Sequence, residues 1–260
     1  MIPIRDDNPP ILTPYGTFAI IGLNAFVWVF VQGFGSTLPL AGSICNFGLV
    51  PARLLQTLPA GAVVPVGQSL VCEISGGSAW YTAVTSMFMH GGWLHIIGNM
   101  WFLWIFGNNV EDAMGTLRFL VFYLLCGLAA AAVQVAANPD STIPMVGASG
   151  AIGGVMGAYI ILYPRVNVHM LIPLGFFFWT FAIPAVFMLA YWLAIQLISG
   201  VMSLGGQGGG VAFWAHVGGF VTGMLLIFLF RDKKLLARHP YHGWTQARSP
   251  TRSWHRIDRR

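Results

Sequence analysis

The chain has 260 residues, of which 56% are hydrophobic and only 8% charged, with a net charge of +5 and a mean hydropathy of +0.71. A soluble domain carries about 25% charged residues, so thirteen basic and eight acidic side chains cannot cover a soluble 28.3 kDa surface. Disorder, coiled coil, nucleic-acid binding and an ordinary soluble enzyme core are excluded; the composition is that of an all-α polytopic membrane protein.

The first 14 residues, MIPIRDDNPPILTP, are polar and broken by proline. They lack the basic segment and small-residue cleavage site of a signal peptide, so the first span is expected to stay in the mature protein. A bilayer core of about 30 Å takes roughly 20 apolar residues per helix. Six stretches approach that length: Tyr15–Gly33, Trp93–Asn109, Arg118–Ala136, Ala148–Tyr163, Leu171–Gly200 and Val211–Phe230. The fifth carries Pro173 and Pro184, so it is expected to start late, tilt or kink. The expected organisation is a short cytoplasmic N-terminus over residues 1–14, a six-helix domain over 15–230 and a basic cytoplasmic tail over 231–260.

Six spans put both termini on one side. Nine of the thirteen basic residues lie from Arg231 onward, and Arg5, Arg118 and Arg165 fall on the same side, leaving only Arg53 opposite. The positive-inside bias therefore makes that side cytoplasmic. The tail reads as an anchor rather than a nucleic-acid site. Contact with anionic lipid, at about 1 kcal/mol per charge, stands beside plain solvation as a reading of it.

The long segment between the first two spans, about residues 34–92, is the large first outer loop and carries apolar runs suited to a partly embedded element. Cys45 and Cys72 both lie in it, on the oxidising side. A disulfide between them and two unpaired thiols both fit the sequence. Cys126 lies mid-span and reads as core filler.

Polar groups inside spans are costly and tend to face a cavity or one another. His95 and Asn99, four residues apart, project from one face of the second span. The fourth span opens on Gly147-Ala148-Ser149-Gly150, and the sixth contains Ala215-His216-Val217-Gly218-Gly219. All three spans run inward, which places His95, Asn99, Ser149 and His216 at similar depth in the outer half of the bilayer; His216 lies roughly 7.5 Å past the start of its helix. A neutral imidazole can take the proton of a serine hydroxyl as it attacks a carbonyl and return it to the leaving amine. His95, Asn99 and the Ser149 backbone N–H could donate to the oxyanion. Gly150/Gly154, Gly153/Gly157 and Gly219/Gly223 form small-residue rows that would let spans four and six approach closely. No Asp or Glu lies within any span, and His90, His95 and His216 have no Cys or carboxylate at ligand spacing, so neither metal nor cofactor is expected. The missing carboxylates and missing internal repeat also count against a transporter.

With these motifs the chain resembles the rhomboid family of intramembrane serine proteases. The resemblance runs through His90-Gly-Gly-Trp-Leu-His95-Ile-Ile-Gly-Asn99, Gly147-Ala148-Ser149-Gly150, Ala215-His216-Val-Gly-Gly-Phe220 and the turn Gly107-Asn-Asn-Val-Glu111-Asp112-Ala-Met-Gly115. It implies a rhomboid-like bundle in which Ser149 is the nucleophile and His216 its base. His95 and Asn99 would be oxyanion stabilisers, His90, Gly147 and Gly150 supporting positions, and Glu111 a structural residue. It also implies transmembrane protein substrates cleaved near their outer ends. The absence of a transit peptide, with the compact chain, points to a bacterial inner membrane. An inactive relative that binds or escorts membrane clients is the alternative; such relatives usually lack the serine or histidine. Two positions depart from the family pattern. No Trp-Arg dipeptide occurs between Phe34 and Gly92, and Gly153 stands where some relatives carry an aromatic that stacks on the catalytic histidine.

Overall fold

The computed structural model describes residues 2–59, 61–66, 70–73, 79–203 and 211–241. In chain order these form β1 (Ile2–Asp6), α1 (Tyr15–Phe30), α2 (Thr37–Phe47), α3 (Pro51–Leu54), β2 (Val63–Val66), β3 (Leu70–Glu73) and α4 (Thr82–Thr85). There follow α5 (Trp93–Asp112), α6 (Thr116–Ala137), α7 (Ser149–Leu162), β4 (Asn167–Leu174), β5 (Phe177–Pro184), α8 (Ala185–Met202), α9 (Phe213–Phe230) and α10 (Lys233–Leu236).

The molecule is mostly helical, but the all-α expectation needs correction. β1, β4 and β5 form an antiparallel sheet in the order β1-β4-β5, and β2 pairs with β3 in a separate hairpin. The first half of the expected fifth span is likewise not helical: Leu171–Pro184 belongs to the β4–β5 hairpin. Prolines at 173 and 184 and the aromatic run Phe176–Trp179 favour extended chain. Gly175, at φ +64°, turns the corner in a two-residue loop. Helix α8 starts only after Pro184, so the span does start late. Val168 and Met170 of β4 enter the core, whereas the aromatic side chains at the hairpin tip are exposed.

Among the described residues three helices are long and apolar enough to cross a bilayer: α6 with 22 residues, and α8 and α9 with 18 each. Helices α1 and α7 are apolar but shorter, at 16 and 14 residues. Helix α5 has 20 residues but interrupts its apolar run with His95, Asn99, Asn108, Asn109, Glu111 and Asp112. The described residues of the segment before α5 are organised in short elements, α2, α3, β2, β3 and α4. Cys45 of α2 and Cys72 of β3 are joined by a disulfide.

Helix α7 lies at the centre, with nearly every residue from Gly150 to Leu162 buried. It packs backbone to backbone on α9. A side chain at Gly157 would strike the Phe220 carbonyl, one at Gly219 the Gly150 carbonyl, and one at Gly223 the Gly154 carbonyl. The small-residue rows thus set the approach of these two helices.

At the opposite end of the bundle two buried carboxylates lock α1 to the α5–α6 turn. Glu111 accepts from the Gly16 and Thr17 amides, both at 2.8 Å, and from the hydroxyls of Thr17 (2.9 Å) and Thr116 (2.6 Å). Asp112 accepts from the Ile11 and Leu12 amides at 2.6 and 2.9 Å. Negative charge at the start of α1 complements its dipole and its unpaired N–H groups. The tail begins on the same surface. The Asp232 amide donates to the Ala113 carbonyl at 2.7 Å, and the buried His239 ring lies 3.4 Å from Asp112 and against Tyr163. Positions 242–260 of the basic tail, and any lipid contact through them, lie outside the described residues.

Candidate active site

Ser149 is the first residue of α7, so its amide has no carbonyl one turn earlier to bond. The chain enters the helix through Gly147 at φ +122°, a conformation open to glycine but strained for other residues. A side chain at Gly147 would also lie 2.6 Å from His95 Nε2 and 3.5 Å from Asn99 Nδ2. That glycine therefore lets the α7 entry close against the polar face of α5. The Gly147 amide donates to the Ser86 carbonyl at 2.9 Å, which anchors the turn from the other side.

His216 comes from the first turn of α9, whose Ala215 amide is held by Gln134 Oε1 at 3.1 Å. Close packing of α7 on α9 brings Ser149 Oγ to 2.7 Å from His216 Nε2. His216 Nδ1 lies 2.7 Å from Gln196 Oε1, and its ring faces Trp192 with centroids 5.8 Å apart.

His95 and Asn99 face the same cavity from α5, one turn apart. His95 Nδ1 accepts from the Gly91 amide at 3.2 Å, which leaves the ring proton on Nε2, beside Gly147. Asn99 is buried, and its Nδ2 has no partner among the described residues. The cavity is about 440 Å³ and is lined by Ser149, His216, His95, Asn99 and Gly150 together with apolar groups. His90 is not on it. Fully buried, His90 packs edge-on against His95 at 5.1 Å, with its backbone bonded in both directions to the Gln32 amide at 2.8 and 2.9 Å.

The sequence-predicted residues thus converge, with His90 one layer back. Gln196 and Trp192 escaped the sequence reading. Gln196 carried the same signal that singled out His95 and Asn99, a polar side chain inside an apolar span. Trp192, four residues earlier on the same face of α8, would then have followed. Chemically, the cavity offers a hydroxyl bonded to an imidazole, opposite N–H donors with free bonding capacity. That arrangement suits nucleophilic attack on a carbonyl.

A family model described as Rhomboid domain matches residues 77–233. RHOMBOID-like protein 4 of Arabidopsis thaliana is 32% identical over 176 residues, covering 68% of this chain and 39% of that protein. RHOMBOID-like protein 6, mitochondrial, of the same plant is 29% identical over 177 residues, or 68% of this chain and 50% of that protein. Rhomboid protease GluP of Bacillus subtilis (strain 168) is 37% identical over 81 residues, which is 31% of this chain and 15% of that protein. The chain thus spans half or less of the length of these relatives. The domain match covers more than half of the chain, and the protein belongs to the rhomboid family, whose members are in general intramembrane serine proteases. It is an integral membrane protein.

Proposed function

We propose that the protein is an intramembrane serine endopeptidase that hydrolyses peptide bonds in or near transmembrane segments of other membrane proteins through Ser149 and His216. The observation that carries this reading is the 2.7 Å contact between Ser149 Oγ and His216 Nε2 on a cavity shared with Asn99 and His95. Ser149 donates its proton to Nε2 and attacks the carbonyl carbon, forming the tetrahedral intermediate. The developing oxyanion meets the Ser149 amide, Asn99 Nδ2 and His95 Nε2–H. His216 then protonates the amine as the C–N bond breaks. Water next attacks the acyl carbon while His216 takes its proton, and the ester C–O bond breaks as that proton returns to Ser149 Oγ, releasing the acid. All four side chains are neutral at rest, which suits a site set among apolar helices.

In the same proposal, α1, α5, α6, α7, α8 and α9 are six spans, within a domain over residues 15–230. Both termini face the cytoplasm, and the cavity opens to the outer side of a membrane such as the bacterial inner membrane. Six helices of 14 to 22 residues, the gathering of most basic residues from Arg231 onward and the shared end of α5, α7 and α9 that carries the polar cluster support this arrangement.

The test is cleavage of single-span substrates by the purified protein in liposomes, with products mapped by mass spectrometry. Ser149→Ala and His216→Ala should abolish cleavage while leaving the thermal unfolding midpoint near that of wild type, and full activity in Ser149→Ala would refute the mechanism. A fluorophosphonate probe separates this reading from a client-binding protein without catalysis: labelling should occur at Ser149 and vanish in Ser149→Ala.

A further inference from the structure

His216 is held from two sides, and the proposed chemistry uses only one of them. Its Nε2 meets Ser149, while its Nδ1 lies 2.7 Å from Gln196 Oε1 of α8. Gln196 is 8% exposed, in the middle of an apolar helix, where an unpaired amide is costly. Its own Nε2 donates to the Trp192 carbonyl one turn earlier, at 3.4 Å. The reversed amide would set Oε1 against that carbonyl and an N–H against the imidazole, so the local bonding orients the oxygen toward the ring. An oxygen there accepts from Nδ1–H. The proton is thereby kept on Nδ1, and the lone pair of Nε2 faces the Ser149 hydroxyl. Trp192, on the same face of α8, covers the ring from the side.

We propose that Gln196 is a positioning residue of the Ser149–His216 pair, holding the imidazole in the tautomer and orientation that let it accept the serine proton. The proposal rests on the reading of Ser149 and His216 as the catalytic pair, and it adds a third, uncharged member. In water-exposed serine hydrolases the corresponding place is taken by a carboxylate. Inside a bilayer a carboxylate is costly, and a neutral amide supplies the orientation without the charge. Gly153 of α7 offers the ring no side chain; a Cβ there would lie 3.0 Å from the His216 backbone carbonyl. Packing from α8 thus holds the ring from a helix other than the one that carries the serine.

The groups facing the His216 ring are Trp192 and Gln196 of α8, Phe213 of its own helix and Ser149 of α7; the other titratable side chain lining the cavity is His95. The experiment measures kcat, KM and the pH dependence of kcat/KM for Gln196→Leu and Gln196→Glu beside wild type and Ser149→Ala, in the same liposomes. Gln196→Leu removes the acceptor at similar volume and should lower kcat about 10- to 100-fold, the worth of one hydrogen bond to a group that becomes charged, with KM nearly unchanged. Gln196→Glu restores an acceptor and should recover turnover, while its charge stabilises the imidazolium and moves the acid limb of kcat/KM to higher pH. A side chain that only filled space would leave that limb in place. Wild-type kcat in Gln196→Leu, or an unmoved acid limb in Gln196→Glu, overturns the proposal; if Gln196→Leu fails to fold, the Gln196→Glu profile decides. An active Ser149→Ala would instead strike the underlying catalytic reading, so the two failures are distinguishable.

Discussion

Asn99 Nδ2 is a buried donor with no partner among the described residues, held beside Gly147 and the Ser149 turn. Such a donor costs free energy in the resting protein and gains a partner only when an oxyanion forms. Asn99→Ala should therefore lower kcat by about 10²–10³-fold without lowering the thermal unfolding midpoint, a split that steady-state kinetics and calorimetry in detergent would read together. Gly147 should behave in the opposite way. Alanine there must adopt φ +122° with its Cβ 2.6 Å from His95 Nε2. Gly147→Ala should cost about 1–3 kcal/mol of stability and displace the oxyanion donors, so that both the unfolding midpoint and kcat fall.

The packing of α7 on α9 brings Ser149 within bonding distance of a histidine 67 residues away in sequence. Their contact is limited by backbone atoms, because the Gly150 carbonyl occupies the space a Gly219 side chain would need. Backbone cannot move aside as the end of a flexible side chain can, so even one methyl group must separate the helices. Gly219→Ala should destabilise the protein by about 1–3 kcal/mol and reduce fluorophosphonate labelling of Ser149 by parting it from His216. Gly22 of α1 is the matched control: nothing lies within 4 Å of its Cβ position, so Gly22→Ala should be neutral or slightly stabilising. The β4–β5 hairpin is an element that apolar length alone reads as part of a span. Its aromatic tip is exposed, so outward and inward positions are both apolar and the alternation that normally marks a strand is lost.

Across the described residues, the N-terminal strand and the first residues of the tail are tied to the end of the bundle remote from Ser149. β1 pairs with β4, Asp6 accepts from the Tyr159 hydroxyl at 2.5 Å, and Asp7 lies 2.7 Å from the His169 ring. Burial raises the Asp6 carboxyl from 3.8 to about 6, in spite of the hydrogen bond from Tyr159. The folded protein therefore binds this proton more tightly than the unfolded chain. That contribution is fully present below about pH 4 and is lost as the pH rises through about 6. The loss should be about 1–3 kcal/mol for this partly buried group. Thermal unfolding between pH 4 and 7.5 checks it: wild type should lose stability toward neutral pH, and Asp6→Asn should remove most of that slope.

Sequence alone determined the membrane class, the approximate positions of most helices, and Ser149, His216, His95 and Asn99 among the residues that line the cavity. Composition and local spacing carry those features: charge scarcity needs no fold to be read, and His95 and Asn99 share a face because a helix repeats every 3.6 residues. Tertiary structure alone decided the rest. It turned Asn167–Pro184 into a hairpin paired with the N-terminus, joined Cys45 to Cys72, and brought Gln196 onto the far side of the His216 ring. Each of these joins elements whose relative placement depends on how close the neighbouring helices can come. At the centre of the bundle, the absent side chains of Gly157, Gly219 and Gly223 set that distance, through contacts between residues more than sixty positions apart.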